Sequence, residues 1–278
     1  MAGMLYVVGT PIGNLGDFSP RAAETLAGVD FIAAEDTRVT IKLLNHFEIK
    51  KPMLSYFEHN KRERGEEIIK RLETGESCAL VTDAGMPVFS DPGEELVALC
   101  HEQGIEVTVV PGPCAAVSAL ALSGLPSGRF CFEGFLSVNK KSRREHLVSI
   151  ADEERTLVFY EAPHKLKATL ADLYKALGDR RIAITRELTK IHEQVIRTTL
   201  SQAAALYAEK EPRGEFVLII EGKEKITEDD GADEVRLDKA EELVSRYIGE
   251  GMSHSAAVKR AVVETGVNRS ELYNLSLK

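Results

Sequence analysis

Short apolar, often β-branched runs alternate with amphipathic stretches through the first hundred residues. LYVVG (Leu5 to Gly9), DFIAAED, CALVT (Cys78 to Thr82) and IEVTVV read as buried strands. Helices are predicted between them: one opening at Ser19-Pro20, with Ser as N-cap and Pro in the first turn, then Val39 to Phe47, Arg64 to Thr74 and Glu94 to Gln103. This alternation predicts a mostly parallel sheet covered by helices.

The second set of elements connects differently. Ala115 to Ser123 is a small-residue apolar helix, and Lys165 to Leu177 is another helix. RFCFEGF, TLVFYEA, RIAITREL, HEQVIRTTL and EFVLIIEG read as strands. The short link between RIAITREL and HEQVIRTTL implies an antiparallel pair and therefore a mixed sheet. The pattern divides the chain into an N-terminal α/β domain over 1–112, a second α/β domain over 113–222, and an acidic linker with a helical extension over 223–278. In the extension, helices are expected from Ser255 to Thr265 and from Asn268 to Leu277, joined at Gly266. That pair is helix-turn-helix-like, although a bare two-helix cap is the commoner outcome of so short a signal.

Composition narrows the class. The 278 residues carry 35 Lys+Arg against 44 Asp+Glu, a net charge of −9, with 44% hydrophobic residues. That acidity excludes a generic nucleic-acid coat, which needs clustered cations, but leaves room for local basic loops. Residues 223–250 hold 5 basic and 10 acidic residues, so more than half of the excess lies there, and the first half of that window reads as solvated linker. No apolar run reaches the roughly 20 residues of a spanning helix, and the N-terminal stretch lacks a basic leader, so a cytoplasmic protein is expected. Cys78, Cys100, Cys114 and Cys131 form no CxxC pair, and no metal site is expected.

Three turn sequences stand at carboxyl ends of predicted strands: GTPIGNLGD, DAGMPVFSDPG and PGPCAA. Ligands of open α/β sheets bind at such ends. There is no GxxxxGK[ST] and no GxGxxG, so a nucleotide polyanion fits poorly. A nucleoside-like ligand without phosphates fits better, and S-adenosylmethionine is the common cofactor of that kind. Polar clusters lie nearby. Glu35-Asp36-Thr37-Arg38 reads either as an oriented carboxylate or as a salt-bridged helix start. Ser55-Tyr56-Phe57-Glu58-His59-Asn60 is dense in functional groups for a loop, and Glu161-Ala162-Pro163-His164-Lys165 is equally a turn with a helix cap. Basic runs occur at Lys61-Arg62-Glu63-Arg64 and at Lys140-Lys141-Ser142-Arg143-Arg144.

GTPIGNLGDFSPRA, AAEDTR, SYFEHN, VTDAGMPVFSDPG, VVPGPCAAVSAL, GFL with a following basic run, FYEAPHKL, TRELTKIHE and RGEFVLIIEG occur in that order over residues 4–222. In this the chain resembles the bacterial 16S rRNA cytidine 2′-O-methyltransferases, a branch of the tetrapyrrole (precorrin/diphthine synthase-like) methylase superfamily. The resemblance implies two α/β domains of the tetrapyrrole methylase type, with S-adenosylmethionine in the cleft between them, and a homodimer. It implies methylation of a cytidine ribose in the decoding region of 16S rRNA within the small ribosomal subunit. Carried over by motif, Thr10, Pro11 and Ile12 would line the cofactor from the first loop. Asp83, Ala84, Gly85, Met86 and Phe89 would do so from the second, and Pro113, Cys114 and Ala115 from the third, with Tyr160 beyond. Two positions depart from the pattern: Cys114 stands where Ser is commoner, and Ser137 where Pro is usual.

A ribose hydroxyl is a poor nucleophile, so a general base is expected. Asp36, Glu58 and His59 are the candidates, with Glu161 and Glu187 behind them, and Arg38 would orient a carboxylate or hold a phosphate. Lys140, Lys141, Arg143 and Arg144 are expected to meet the RNA. The alternatives are a tetrapyrrole or diphthine-type methyltransferase of the same fold and a non-catalytic nucleic-acid-binding module.

Overall fold

A computed structural model describes residues 3–224 and 228–276. Residues 3–223 form one compact unit and the helices beyond them a second. The first unit contains two sheets. Strands β1 (Met4–Val8), β2 (Phe31–Ala34), β3 (Met53–Ser55), β4 (Cys78–Val81) and β5 (Glu106–Val110) form an all-parallel sheet in the order β3-β2-β4-β1-β5. Strand alternation sorts its side chains. Phe31, Ala33, Cys78 and Leu80 face α3 (Lys61–Glu73) and α4 (Gly93–Glu102), whereas Ile32, Ala34, Ala79 and Val81 face α1 (Pro20–Gly28) and α2 (Thr37–His46). Both faces are covered, which is why these strands read as continuous apolar runs.

The second sheet comprises β6 (Phe130–Gly134), β7 (Thr156–Glu161), β8 (Arg181–Arg186), β9 (Gln194–Thr199) and β10 (Phe216–Ile220), in the order β6-β7-β10-β8-β9. β6 and β7 are parallel, whereas β10 runs antiparallel to both β7 and β8. β8 and β9 are the expected antiparallel pair, in register from Arg181 opposite Thr199 to Arg186 opposite Gln194. One face packs on α6 (Lys140–Ser149), α7 (Pro163–Leu177) and α8 (Leu200–Glu209), the other on α5 (Ala115–Ser123). Ile12, from the loop after β1, is buried in this latter cluster beside Ala116, Leu120 and Val217, so one side chain of the first sheet's loops is part of the second sheet's core.

The hydrophobic pattern gives no sign of β3, a three-residue edge strand, nor of α8, LSQAAALYAE, which buries Leu200, Ala203 and Tyr207. Ser19 accepts the Ala22 N–H at 3.1 Å with Pro20 at the first helical position, as expected. In the second unit, α9 (Glu228–Gly249) starts inside the stretch read as linker, α10 spans His254–Thr265 and α11 spans Arg269–Leu275. Residues 225–227 and position 277, on which part of the linker and the end of the last helix were expected, lie outside the described residues. Ala240, Val244, Tyr247, Val258, Ala261 and Leu272 close a small core. The Tyr247 hydroxyl donates to Glu264 at 2.6 Å, and the Arg260 guanidinium lies 4.4 Å above its ring. Gly266 ends α10 in the left-handed region, and the Asn268 side chain accepts the Ser270 N–H.

At the top of the parallel sheet β1 and β5 approach without side chains. A methyl added at Gly9 would sit 2.6 Å from the Gly112 Cα and 2.7 Å from the Gly112 nitrogen, both backbone atoms. Gly9→Ala is therefore expected to cost roughly 1–3 kcal/mol of stability. Gly28, with nothing within 4 Å of an added methyl, is the control, and Gly28→Ala should be neutral or stabilising by up to about 1 kcal/mol. Chemical unfolding midpoints of the two variants check this.

Candidate active site

Chain order in the parallel sheet reverses beside β1, because β2 and β3 lie beyond β4 on one side and β5 joins on the other. The loops after β4, β1 and β5 are consequently neighbours, and these are the three turns singled out in the sequence. They are tied to one another through backbone. The Thr10 N–H donates to the Gly85 carbonyl at 2.9 Å, and the Gly85 N–H returns a bond to Thr10 at 3.1 Å. The Thr10 hydroxyl donates to the Thr82 carbonyl at 3.1 Å, and the Gly112 N–H points at the Met86 sulfur at 3.2 Å. Gly85 has φ +95°, where a side chain would be strained.

Opposite these loops the second sheet presents the carboxyl ends of β6, β7 and β8 together with the start of β10, since Phe216 pairs with both Glu161 and Arg186. The two edges enclose a cleft of about 350 Å³. Ile12, Met86, Phe89, Phe135, Leu188 and Phe216 supply much of its apolar wall. Its charged lining among the described residues is Glu35, Asp83, Asp91, Glu161 and Glu215, with no Lys, Arg or His. Glu215 is paired with Lys190 at 3.0 Å, which leaves four carboxylates with no cation in contact among the described residues.

Of the residues expected to hold cofactor, Ile12, Asp83, Ala84, Gly85, Met86, Phe89, Cys114, Ala115 and Tyr160 line the cleft. Thr10, Pro11 and Pro113 lie outside the lining: Thr10 is buried in the loop-tying bonds, and Pro113 borders a neighbouring hollow with Pro111 and Thr189. Cys114 occupies the N-cap of α5 but makes no capping bond. The first amides of α5 are thus left with no side-chain acceptor from the cap residue, apart from the Ala116 N–H, which donates to the Tyr160 hydroxyl at 3.2 Å. Burial pushes the Tyr160 phenol upward, so it stays neutral.

Of the candidate bases, Glu161 lines the cleft, whereas Asp36, Glu58, His59 and Glu187 lie outside its lining. Asp36 caps α2 through the Arg38 N–H at 2.8 Å and is gripped by the Arg38 guanidinium at 2.6 and 3.0 Å. Those bonds hold its carboxyl down at about 2, too weak a base to be useful near neutrality. Glu58 pairs with Lys61 at 2.9 Å, and His59 packs its ring edge-on to Phe57; neither lines the cleft. Tyr56 and Asn60 of the same cluster hold the loop, Tyr56 through Pro92 and Asn60 through Ser55 and Phe57. Glu187 is paired with Lys190. Among the basic run, Lys140, Lys141 and Arg144 are exposed, whereas Arg143 turns inward to Asp172 and Thr169 and is not free to meet RNA.

Burial raises the pKa of two of the cleft carboxylates: Asp91, which is tied into its own loop, and Asp83. Burial first, and then the charge of Glu35, push Asp83 above the usual carboxylate range, although the Asp36 N–H donates to it at 3.1 Å. Glu35 itself accepts the Thr82 hydroxyl at 2.5 Å. Between Met86 and Gly93 the loop is strained: Val88 and Ser90 have φ of 81° and 68° on either side of Phe89. One oxygen of Asp91 pins this turn, accepting the Val88 and Gly93 N–H groups at 2.8 and 2.9 Å, while its other oxygen is buried without a partner. Asp91, Phe135 and the β10 residues were not among the sequence candidates, whereas Glu161 was named there as a lower-ranked base and lines the cleft. Asp91 and Glu161 stand inside quoted motifs, but the entry of β10 into the cleft follows from an antiparallel pairing that no local pattern shows.

Comparison with known proteins matches residues 4–204 to the family of tetrapyrrole (corrin/porphyrin) methylases. A protein of Synechocystis named ribosomal RNA small subunit methyltransferase I is 49% identical over 277 residues, covering 99% of this chain and 98% of its own. A protein of the same name from Thermotoga maritima is 50% identical over 222 residues, 80% of this chain and 100% of its own. Among solved structures, a uroporphyrin-III C-methyltransferase from Thermus thermophilus complexed with S-adenosyl homocysteine superposes with a TM-score of 0.56 at 17% identity, covering 79% of this chain and 97% of that one. The fold, the cleft and these likenesses agree: the chain belongs to the tetrapyrrole methylases, and within them to the family of the ribosomal RNA small subunit methyltransferase I proteins.

Proposed function

We propose that the protein uses S-adenosylmethionine to methylate the 2′-oxygen of a cytidine in the decoding region of 16S rRNA. The observation that carries this reading is the charge of the cleft: its wall is apolar and its charged lining among the described residues is all carboxylate. Such a cavity suits a nucleoside-like cation and repels phosphates. The uncapped start of α5, with Ala115 on the cleft, offers amide donors to a ligand carboxylate. Ile12, Met86 and Phe89 supply apolar surface for the nucleoside, and the Asp91 oxygen without a partner is an acceptor awaiting one. When bound, the cofactor supplies an electrophilic methyl group on a sulfonium. The names of relatives 44–50% identical to this chain support small-subunit rRNA as the acceptor.

The chain's own residues do three things in this reading. The stiff glycine–proline loops align the reacting oxygen with the methyl. Asp83, raised above an ordinary carboxylate, accepts the proton of the ribose hydroxyl. The RNA backbone is met outside the cleft, by Arg38, 88% exposed and anchored through Asp36 beside Asp83, and by Lys140, Lys141 and Arg144 on α6, which starts five residues after the cleft residue Phe135.

Asp83→Asn is expected to lower methyl transfer to 30S subunits by roughly 10²–10⁴-fold with cofactor binding retained, and to flatten the rise of rate with pH. Glu58→Ala and His59→Ala should keep rates within a few-fold, and a loss as deep as that of Asp83→Asn would move the base away from Asp83. Because Asp83 holds its proton more tightly folded than unfolded, its ionisation weakens the fold between the ordinary carboxylate pKa and its raised one. The Asn variant should therefore be as stable as wild type, or more so, at neutral pH, as thermal melts will read. Replacing Lys140, Lys141 and Arg144 together by Ala should raise KM for 30S subunits and flatten its salt dependence, leaving cofactor affinity unchanged.

A further inference from the structure

One carboxylate of the cleft differs from the others in how its charge is held. Glu161 ends β7 and is 3% exposed. Its Oε1 accepts the Ala162 N–H at 2.8 Å, and its Oε2 accepts the Thr169 hydroxyl at 2.5 Å. Thr169, on α7, is fully buried, and its oxygen also accepts Nη2 of Arg143 at 3.0 Å. Asp172 fixes the same guanidinium through Nε at 2.7 Å.

The direction of this chain is forced. A guanidinium only donates, so the single hydroxyl hydrogen of Thr169 goes to Glu161. Both oxygens of Glu161 are then acceptors, and a proton on either would meet no acceptor among its bonded partners. Glu161 is thereby kept as an anion, and the groups touching it, an amide and a hydroxyl, carry no charge. The N-terminus of α7 beside it helps. Even so, an ionised group this deeply buried in an apolar wall is costly unless an opposite charge meets it. The open side of that wall is the cleft.

We infer that Glu161 is the counter-charge the cleft offers to the cation of its ligand, with Thr169 and Arg143 as positioning residues that hold it ionised and aimed. This rests on the methyl-transfer reading, and it gives Arg143 a role distinct from the RNA-facing cations of its helix. A carboxylate serving only to cap α7 would matter equally for charged and uncharged ligands.

Calorimetry with three ligands separates the two. S-adenosylmethionine carries a sulfonium and an ammonium, S-adenosylhomocysteine only the ammonium, and 5′-methylthioadenosine neither. Glu161→Gln and Thr169→Val should weaken S-adenosylmethionine at least about tenfold while methylthioadenosine changes less than about threefold. Thr169→Ser, which keeps the hydroxyl, should match wild type, and Arg143→Met should follow Thr169→Val. A parallel loss with S-adenosylhomocysteine assigns the contact to the ammonium, and an intact affinity assigns it to the sulfonium. Equal losses for all three ligands, or none for any, overturn the inference while wild-type binding still upholds the methyl-transfer reading. A wild-type protein that binds none of the three overturns that reading, and this inference with it.

Discussion

Gly9 and Gly112 face each other across the ends of β1 and β5 with no room for a carbon between them. That contact brings the first and third loops to van der Waals distance, and the paired bonds of Thr10 and Gly85 add the second. Everything the cleft does depends on this junction. It sets Ile12 into the core of the second sheet, so the two sheets share a side chain where the ligand wall begins. It also places Cys114 and Met86, whose sulfur receives the Gly112 N–H. A wall built from backbone contacts is stiff, and stiffness is what an in-line transfer asks of its scaffold.

The charge of the molecule is arranged in layers rather than averaged. Carboxylates line the cleft, while exposed cations stand outside it on Arg38 and along α6. A polyanion is thus attracted to the rim and repelled from the interior, and a small cation experiences the reverse. This separation lets an acidic protein present positive charge locally without being cationic everywhere.

How much of this was legible depended on range. The strands of the parallel sheet could be read because burial on both faces makes them continuous apolar runs, and the three loops could be read because glycine and proline mark strand ends. Ser19-Pro20 announced a helix that formed as expected. The site was legible where its residues sit in those loops and at the end of β7, where Tyr160 and Glu161 line the cleft. Asp36 and Arg38 lie within three positions of the cleft residue Glu35, yet their mutual ion pair turns them to the helix start. Arg143 sits in a run of cations but points inward, because Asp172 and Thr169 lie one turn apart on α7. Glu215 and Phe216 reach the cleft only through the antiparallel course of β10. Partners far apart along the chain decided each of these, and a local pattern carries no record of them.

The strand order has a consequence for how the chain is made. β1 is hydrogen-bonded only to β4 and β5, its Leu5 lying opposite Cys78 and Val107. On a translating ribosome the first strand must therefore wait for some seventy residues before its nearer neighbour exists, roughly 4–15 s at ordinary elongation rates. Meanwhile β2 and β3 can pair with each other, since Ile32 meets Met53 only some twenty residues on. β1 is thus the first strand to be synthesised and among the last to be housed, and the glycine junction above it closes only after the third loop has emerged.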